Sequence, residues 1–159
     1  MPTASEAARE EPLAGPLYCD ASALAKLFLP EEGSTELNSR LFGRDDVLIA
    51  DLALTEVASA LGRRAREGGL RDAAARRIYR RILATLADGA FRRVDLLSST
   101  HREAERLLLA SDRAPLRAAD ALHLALALGA GAGTVLTYDR VLARAARAQS
   151  LAVWPEVAS

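Results

Sequence analysis

Apolar positions along this chain fall into short solid runs separated by longer stretches of helical spacing. The runs PLYC (16–19), DVLIA (46–50), TVLTYD (134–139) and LAVW (151–154) are too short for helices and read as strands, and AFRRVDL (90–96) supplies a less apolar one. Helical spacing marks the segments between them. ASALAKLFL (21–29) is stopped by Pro30, EEGSTELNSRLFG (31–43) runs to Gly43, and DLALTEVASALGRRAREG (51–68) is closed by Gly68 and Gly69. Residues 70–87 carry an apolar stripe of Ile78, Ile82, Leu83 and Leu86. Ser98 or Ser99 caps a helix through Ala110, with Glu103 and Glu105 near its start to suit the dipole. LRAADALHLALAL (116–128), ended by GAGAG, and RVLARAARAQS (140–150) complete the set. In the 51–68 helix the core stripe is expected at Leu54, Val57, Ala58 and Leu61.

Strands that alternate with helices, and that are solid apolar runs instead of alternating ones, predict a parallel sheet buried on both faces: an α/β fold, a three-layer α/β/α sandwich. Ligands of such sheets sit beyond the carboxyl ends of the strands, where strand order reverses. Asp20 and Asp139, each following an apolar run, fall where that rule places a site. Residues 1–15 are small, polar and acidic, with Pro2, Pro12 and Gly15, and are expected to form a flexible N-terminal tail ahead of one domain at 16–159.

Composition narrows the chemistry. Half the 159 residues are hydrophobic, aromatics are 4%, and 21 Lys and Arg balance 21 Asp and Glu, so nucleic-acid binding has to come from a local patch and not from net charge. Cys19 is the single cysteine and His101 and His123 stand far apart, which excludes an intramolecular disulfide and argues against a cysteine- or histidine-rich zinc site. No apolar run approaches a membrane span, and MPTASEAAREEP lacks the basic start and apolar stretch of a signal peptide; the expectation is a cytoplasmic protein without membrane contact.

Four acids stand out, each with a plain structural account beside the chemical one. Asp20 and Asp139 precede helices and can serve as N-caps. Glu56 shares its helix face with Leu52, Ser59 and Ala60, with no basic residue until Arg63; it is either a site residue or an ordinary surface glutamate. Asp120 sits in a helix apolar nearly all round, where a carboxylate needs a counter-charge, supplied either by a bound cation or by Arg117. His123, three residues further on, is expected to be a hydrogen-bonded core residue and not a ligand. If the acids converge they repel one another unless a cation sits among them. An all-oxygen donor set favours Mg²⁺ or Mn²⁺, and a water made acidic by such an ion is a nucleophile for a phosphodiester.

The blocks YCDASALAKLFLPEEGS, LALTEVASAL, LRAADALHLALA and TVLTYDRVLARAARAQSLAVWP together resemble PIN-domain ribonucleases, specifically the VapC-type toxins of bacterial toxin–antitoxin pairs, over 17–155. The resemblance implies a Mg²⁺ or Mn²⁺ pocket lined by Asp20, Glu56, Asp120 and Asp139, endonucleolytic RNA cleavage, a homodimer, and inhibition by a small VapB-like antitoxin. Ser22 and Thr137 match hydroxyl residues that line such pockets; each can also be a cap or strand filler. The segment before the first acid is longer than the family pattern, and the last acid position varies within the family. In GRRAREGGLRDAAARRIYRR (62–81) eight arginines form a basic patch; Arg63, Arg64 and Arg66, with Arg117, are candidate RNA contacts, against a reading as a solvated helical pair or an antitoxin-facing surface. Two other functional classes fit less of the sequence. A non-catalytic PIN-like binding module would dispense with the acids, and an aspartate phosphoacceptor domain needs a lysine after a late strand, whereas the single lysine, Lys26, lies in the first helix.

Overall fold

The computed structural model describes residues 11–110 and 115–156. Within them the chain runs β1 (Leu17–Cys19), α1 (Ala21–Phe28), α2 (Ser34–Leu41), β2 (Val47–Ala50), α3 (Asp51–Arg66), α4 (Asp72–Ala87), β3 (Arg92–Val94), α5 (Ser98–Ala110), α6 (Ala118–Gly129), β4 (Thr134–Leu136), α7 (Arg140–Ala148) and β5 (Ala152–Trp154). The strands form one parallel sheet in the order β3-β2-β1-β4-β5. It is the α/β/α sandwich that the solid apolar runs predict.

Both faces of the three inner strands β1, β2 and β4 are covered, which is why they are buried throughout, while the edge strand β3 exposes Arg92 and Arg93. Leu17, Cys19, Val47, Ile49 and Leu136 point into a core shared with α1 to α4. Tyr18, Leu48, Ala50 and Val135 point to the other side, against α5, α6 and α7. The sheet grows outward from β1 to β3 in one direction and then restarts at β4 on β1's other flank, so strand order reverses between β1 and β4. Asp20 directly follows β1 and Thr137 directly follows β4, at the carboxyl ends of that neighbouring pair.

Local boundaries differ from the sequence pattern in instructive ways. The α2 helix begins only at Ser34, after Gly33 takes the left-handed conformation at φ 81°. In α3 the buried positions are Ala53, Leu54, Val57 and Leu61; Ala58 is exposed, because the helix turns its 53–57–61 edge to the sheet. On α4, Leu83 is 40% exposed while Ile82 is fully buried. The α5 helix opens one residue earlier than a Ser98 cap requires: the Leu97 carbonyl accepts the first helical bonds, and Glu103 lies past the first turn, paired with Arg106 at 2.6 Å.

The first ten residues of the expected tail lie outside the described residues. Residues 11–15 are fastened to the body: Arg44 Nη1 donates to the Leu13 carbonyl at 3.0 Å, Thr134 Oγ1 to the Ala14 carbonyl at 2.7 Å, and the Leu13 side chain packs on the α1–α4 core. Gly133 makes this approach feasible, since a Cβ there would stand 2.7 Å from the Ala14 carbonyl oxygen and 2.8 Å from that of Gly15. Backbone cannot swing aside as a side-chain tip does. Gly133→Ala is therefore expected to destabilise the fold by about 1–3 kcal/mol, read as a lower midpoint in urea unfolding.

Candidate active site

All four acids line one cleft of about 270 Å³ at the β1/β4 switch point, together with Ser22, His123 and the apolar side chains Ala25, Val57, Ala60 and Leu142. Each acid arrives from a different element. Asp20 ends β1, Glu56 lies in α3, Asp120 in the first turn of α6, and Asp139 heads α7. Larger hollows of about 980 Å³ beside α1 and α2, and of about 570 Å³ between α3 and α4, contain none of the four.

Asp20 is 4% exposed and is the most tightly held. Its Oδ1 caps α1 by accepting from the Ala23 N–H at 2.8 Å and also accepts from Ser22 Oγ at 2.7 Å, while Oδ2 accepts from Thr137 Oγ1 at 2.6 Å. Both hydroxyls in turn accept from the β4–α7 junction: Ser22 Oγ from the Tyr138 N–H and Thr137 Oγ1 from the Asp139 N–H. The cap role and the cleft-lining role thus coexist in one carboxylate. Ser22 lines the cleft, and Thr137, fully buried, stands one bond behind it. Burial raises the Asp20 carboxyl above its ordinary value, and the Thr137, Ala23 and Ser22 hydrogen bonds only partly oppose that.

Asp139 caps α7, its Oδ1 accepting from the Val141 and Leu142 N–H groups at 2.7 and 3.0 Å. Asp120 Oδ2 accepts from the Arg117 backbone N–H at 3.1 Å. The expected alternative, an ion pair with the Arg117 guanidinium, is replaced by this main-chain contact; Arg117 itself is exposed at the cap of α6. Burial raises the Asp120 carboxyl, the Arg117 N–H lowers it, and the negative charge of Asp139 raises it further. Those two acids feel each other across the cleft.

Glu56 is not without a partner. Its Oε2 lies 2.5 Å from His123 Nε2, and His123 Nδ1 lies 2.7 Å from the Tyr18 hydroxyl. His123 is 4% exposed and Tyr18 fully buried; burial, with Asp20 nearby, pushes the Tyr18 phenol well above its ordinary value, so it remains an O–H donor. His123 is hydrogen-bonded in the core, as its leucine surroundings suggest, yet one of its partners is a cleft acid. Two signals pointed that way in the sequence: a phenol at an inward strand position needs an acceptor, and an imidazole in a buried helix needs two partners.

Arg63, Arg64, Arg66 and Arg117 are all exposed and none lines the cleft. Arg64 pairs with Glu31 at 2.5 Å, and Arg66 borders the α3–α4 hollow. Arg63 lies two turns beyond Glu56 on the same side of α3. Among the described residues no three His, Cys, Asp or Glu side chains are drawn together into a closed cage for a cation. The donor chemistry nonetheless suits a hard divalent ion: the cleft offers only oxygen from its acids, and Glu56 Oε1, Asp120 Oδ1 and Asp139 Oδ2 carry no hydrogen bond among the described residues. Burial is the chief reason the Asp20 and Asp120 carboxyls stand above their ordinary values, with Asp139 adding to it at Asp120.

A family model for the PIN domain matches residues 17–148, a span that includes every one of these acids. The chain belongs to the PIN-domain family. Among PIN-domain proteins it is 36% identical over 144 residues to the ribonucleases VapC45 and VapC49 of two Mycobacterium tuberculosis strains, the match spanning 87% of this chain and 94% of each relative. The same PIN fold is found in the crystal structure of Mycobacterium tuberculosis VapC20, described as a sarcin-ricin loop cleaving toxin, with a TM-score of 0.65 and 17% identity over 81% of this chain and 94% of that one. PAE2754 of Pyrobaculum aerophilum matches with a TM-score of 0.60 and 24% identity, over 84% of this chain and 87% of that one.

Proposed function

We propose that this PIN domain, residues 16–159, is a Mg²⁺- or Mn²⁺-dependent endoribonuclease and the toxin of a type II toxin–antitoxin pair. The observation that carries the reading is the meeting of Asp20, Glu56, Asp120 and Asp139 in one cleft at the strand-order reversal, in a chain related to VapC ribonucleases. The acids would hold the ion through the carboxylate oxygens that face the cleft. When bound, a divalent ion of this kind offsets charge on a phosphate and makes a water acidic enough to attack phosphorus.

The chain's own contribution is placement. Ser22 and Thr137 fix both oxygens of Asp20 and so set its carboxylate plane. The N-termini of α6 and α7 hold one oxygen of Asp120 and of Asp139 by backbone N–H groups, leaving the second oxygen of each without a hydrogen bond among the described residues. Val57 and Leu142 make the walls apolar, which strengthens every charge interaction between them. Arg63, two turns beyond Glu56 in α3, and Arg117, at the cap of α6 three residues before Asp120, are exposed and are the arginines assigned to the RNA backbone; Arg64 is already engaged by Glu31. A small VapB-like antitoxin, homodimerisation and a cytoplasmic location follow from the same reading; no helix among the described residues is long and apolar enough to cross a membrane.

Lys26 donates to the Glu32 carbonyl and lies over the Tyr138 ring, and it does not line the acid cleft, which removes support from a phosphoacceptor role. The direct test is incubation of the purified protein with total RNA, with and without Mn²⁺, followed by mapping of the ends. Discrete Mn²⁺-dependent cuts are expected. Intact RNA together with no Mn²⁺ binding in calorimetry would leave a non-catalytic binding module instead.

A further inference from the structure

We propose that His123 is a positioning residue: the middle member of a buried chain, Tyr18–His123–Glu56, that fixes the Glu56 carboxylate in the cleft. This rests on the metal-dependent nuclease reading above and adds a residue outside its acid set.

The case begins with an asymmetry among the four acids. The three aspartates are short side chains anchored by main-chain N–H groups of helix first turns: Asp20 by Ala23, Asp120 by Arg117, Asp139 by Val141 and Leu142. Glu56 is longer, has one more rotatable bond to order, and lies inside α3, where the backbone N–H groups are consumed by the helix. Its one hydrogen bond among the described residues is the 2.5 Å contact with His123 Nε2. The imidazole does for Glu56 what helix N-termini do for the aspartates.

Donor and acceptor chemistry fixes the direction of the chain. A carboxylate only accepts, so Nε2 carries the proton and donates to Glu56; in the neutral ring Nδ1 is then the acceptor for the Tyr18 O–H at 2.7 Å. A neutral imidazole in this tautomer satisfies all three groups at once. Packing alone does not call for it: α6 is otherwise apolar around this position, with Ala121, Leu124 and Ala125 buried in the core. Tyr18 belongs to β1, His123 to α6 and Glu56 to α3, so the chain links the elements that present Asp20, Asp120 and Glu56. One oxygen of Glu56 is held and the other is left for the cleft.

The experiment measures Mn²⁺ affinity by calorimetry on the full chain, alongside RNA cleavage and thermal melting, for wild type, His123→Leu, His123→Gln, Glu56→Gln and the His123→Leu, Glu56→Gln double variant. His123→Leu is expected to weaken Mn²⁺ binding by about 10- to 100-fold, the range typical of groups that orient a metal ligand. His123→Gln, whose amide offers an acceptor and a donor in similar positions, is expected to recover most of that loss. In the Glu56→Gln background, adding His123→Leu should change Mn²⁺ affinity little, because the two act on the same contact. Wild-type Mn²⁺ affinity in His123→Leu, whether or not its melting point falls, overturns the proposal, as does an undiminished effect in the Glu56→Gln background. The nuclease reading survives those results so long as Glu56→Gln is itself impaired; a Glu56→Gln protein with wild-type binding and cleavage removes both. Should His123→Leu not fold, Tyr18→Phe deletes only the far oxygen of the chain: a severalfold weaker Mn²⁺ affinity supports the proposal and unchanged affinity overturns it.

Discussion

Asp120→Asn is expected to lower Mn²⁺-dependent RNA cleavage by at least about a hundredfold, the scale on which losing one preorganised electrostatic group in an active site is felt, while raising the melting temperature of the metal-free protein. The two effects have one cause. Asparagine keeps the shape and can still accept from the Arg117 N–H, so the first turn of α6 stays closed. What it removes is a negative charge that burial and Asp139 make costly. A carboxyl whose folded value is raised disfavours the folded state once it ionises: below the ordinary aspartate value of about 3.9 the penalty is absent, and it is complete once the pH exceeds the raised folded value. The stabilising effect of Asp120→Asn should therefore vanish in acid and grow as the pH rises through the raised folded value. Added Mn²⁺ should reverse the order, stabilising wild type more than the variant by mass action. Melting curves across pH, with and without Mn²⁺, check the sign. An Asp120→Asn protein that melts below wild type in metal-free neutral buffer would contradict this account of its charge.

Leu24→Ala is expected to cost about 2–5 kcal/mol, the range for deleting most of a fully buried leucine. The α1 helix spans only Ala21–Phe28 and buries just Ala23 and Leu24 outright, so Leu24 is its chief anchor to the sheet. That helix also carries Ser22 and is capped by Asp20. For a domain of this size the loss corresponds to a fall in melting temperature of roughly 5–15 °C. Urea unfolding monitored by circular dichroism reads it directly. A cost below about 1 kcal/mol would mean that the α1 side of the core re-forms around the smaller side chain.

The layer architecture was legible because parallel strands buried on both faces leave solid apolar runs such as VLIA and TVL, whose shortness sets them apart from a buried helix such as α6. Asp20 and Asp139 were legible for a related reason: one directly follows β1, the other stands three residues past β4, and a carboxylate just beyond such a run lies at the end of the sheet where strand order reverses. Helix phase was harder to read. In ALTEVASAL, where alanines occupy several faces, hydrophobicity alone does not distinguish buried Ala53 from exposed Ala58. Arg63 and Arg66, three residues apart, share a face of α3, while Arg64 lies off that face and pairs with Glu31; none of the three reaches the cleft lining. The Glu56–His123 bond joins residues 67 positions apart. No local pattern encodes such a pair; α3 and α6 cover opposite faces of the sheet, and only the fold brings Glu56 and His123 together in the cleft.

The neighbouring of β1 and β4 has a temporal side. Asp20 and Thr137, bonded at 2.6 Å, are separated by 117 residues of chain. A ribosome adds residues from the N-terminus, so a growing chain has made Asp20 long before Thr137 and Asp139 exist. Until β4 slots in beside β1, Asp20 lacks its Thr137 partner, Ser22 lacks the Tyr138 N–H, and the fourth acid of the cleft is still unmade. The cleft lined by all four acids is therefore completed only after synthesis has passed Asp139.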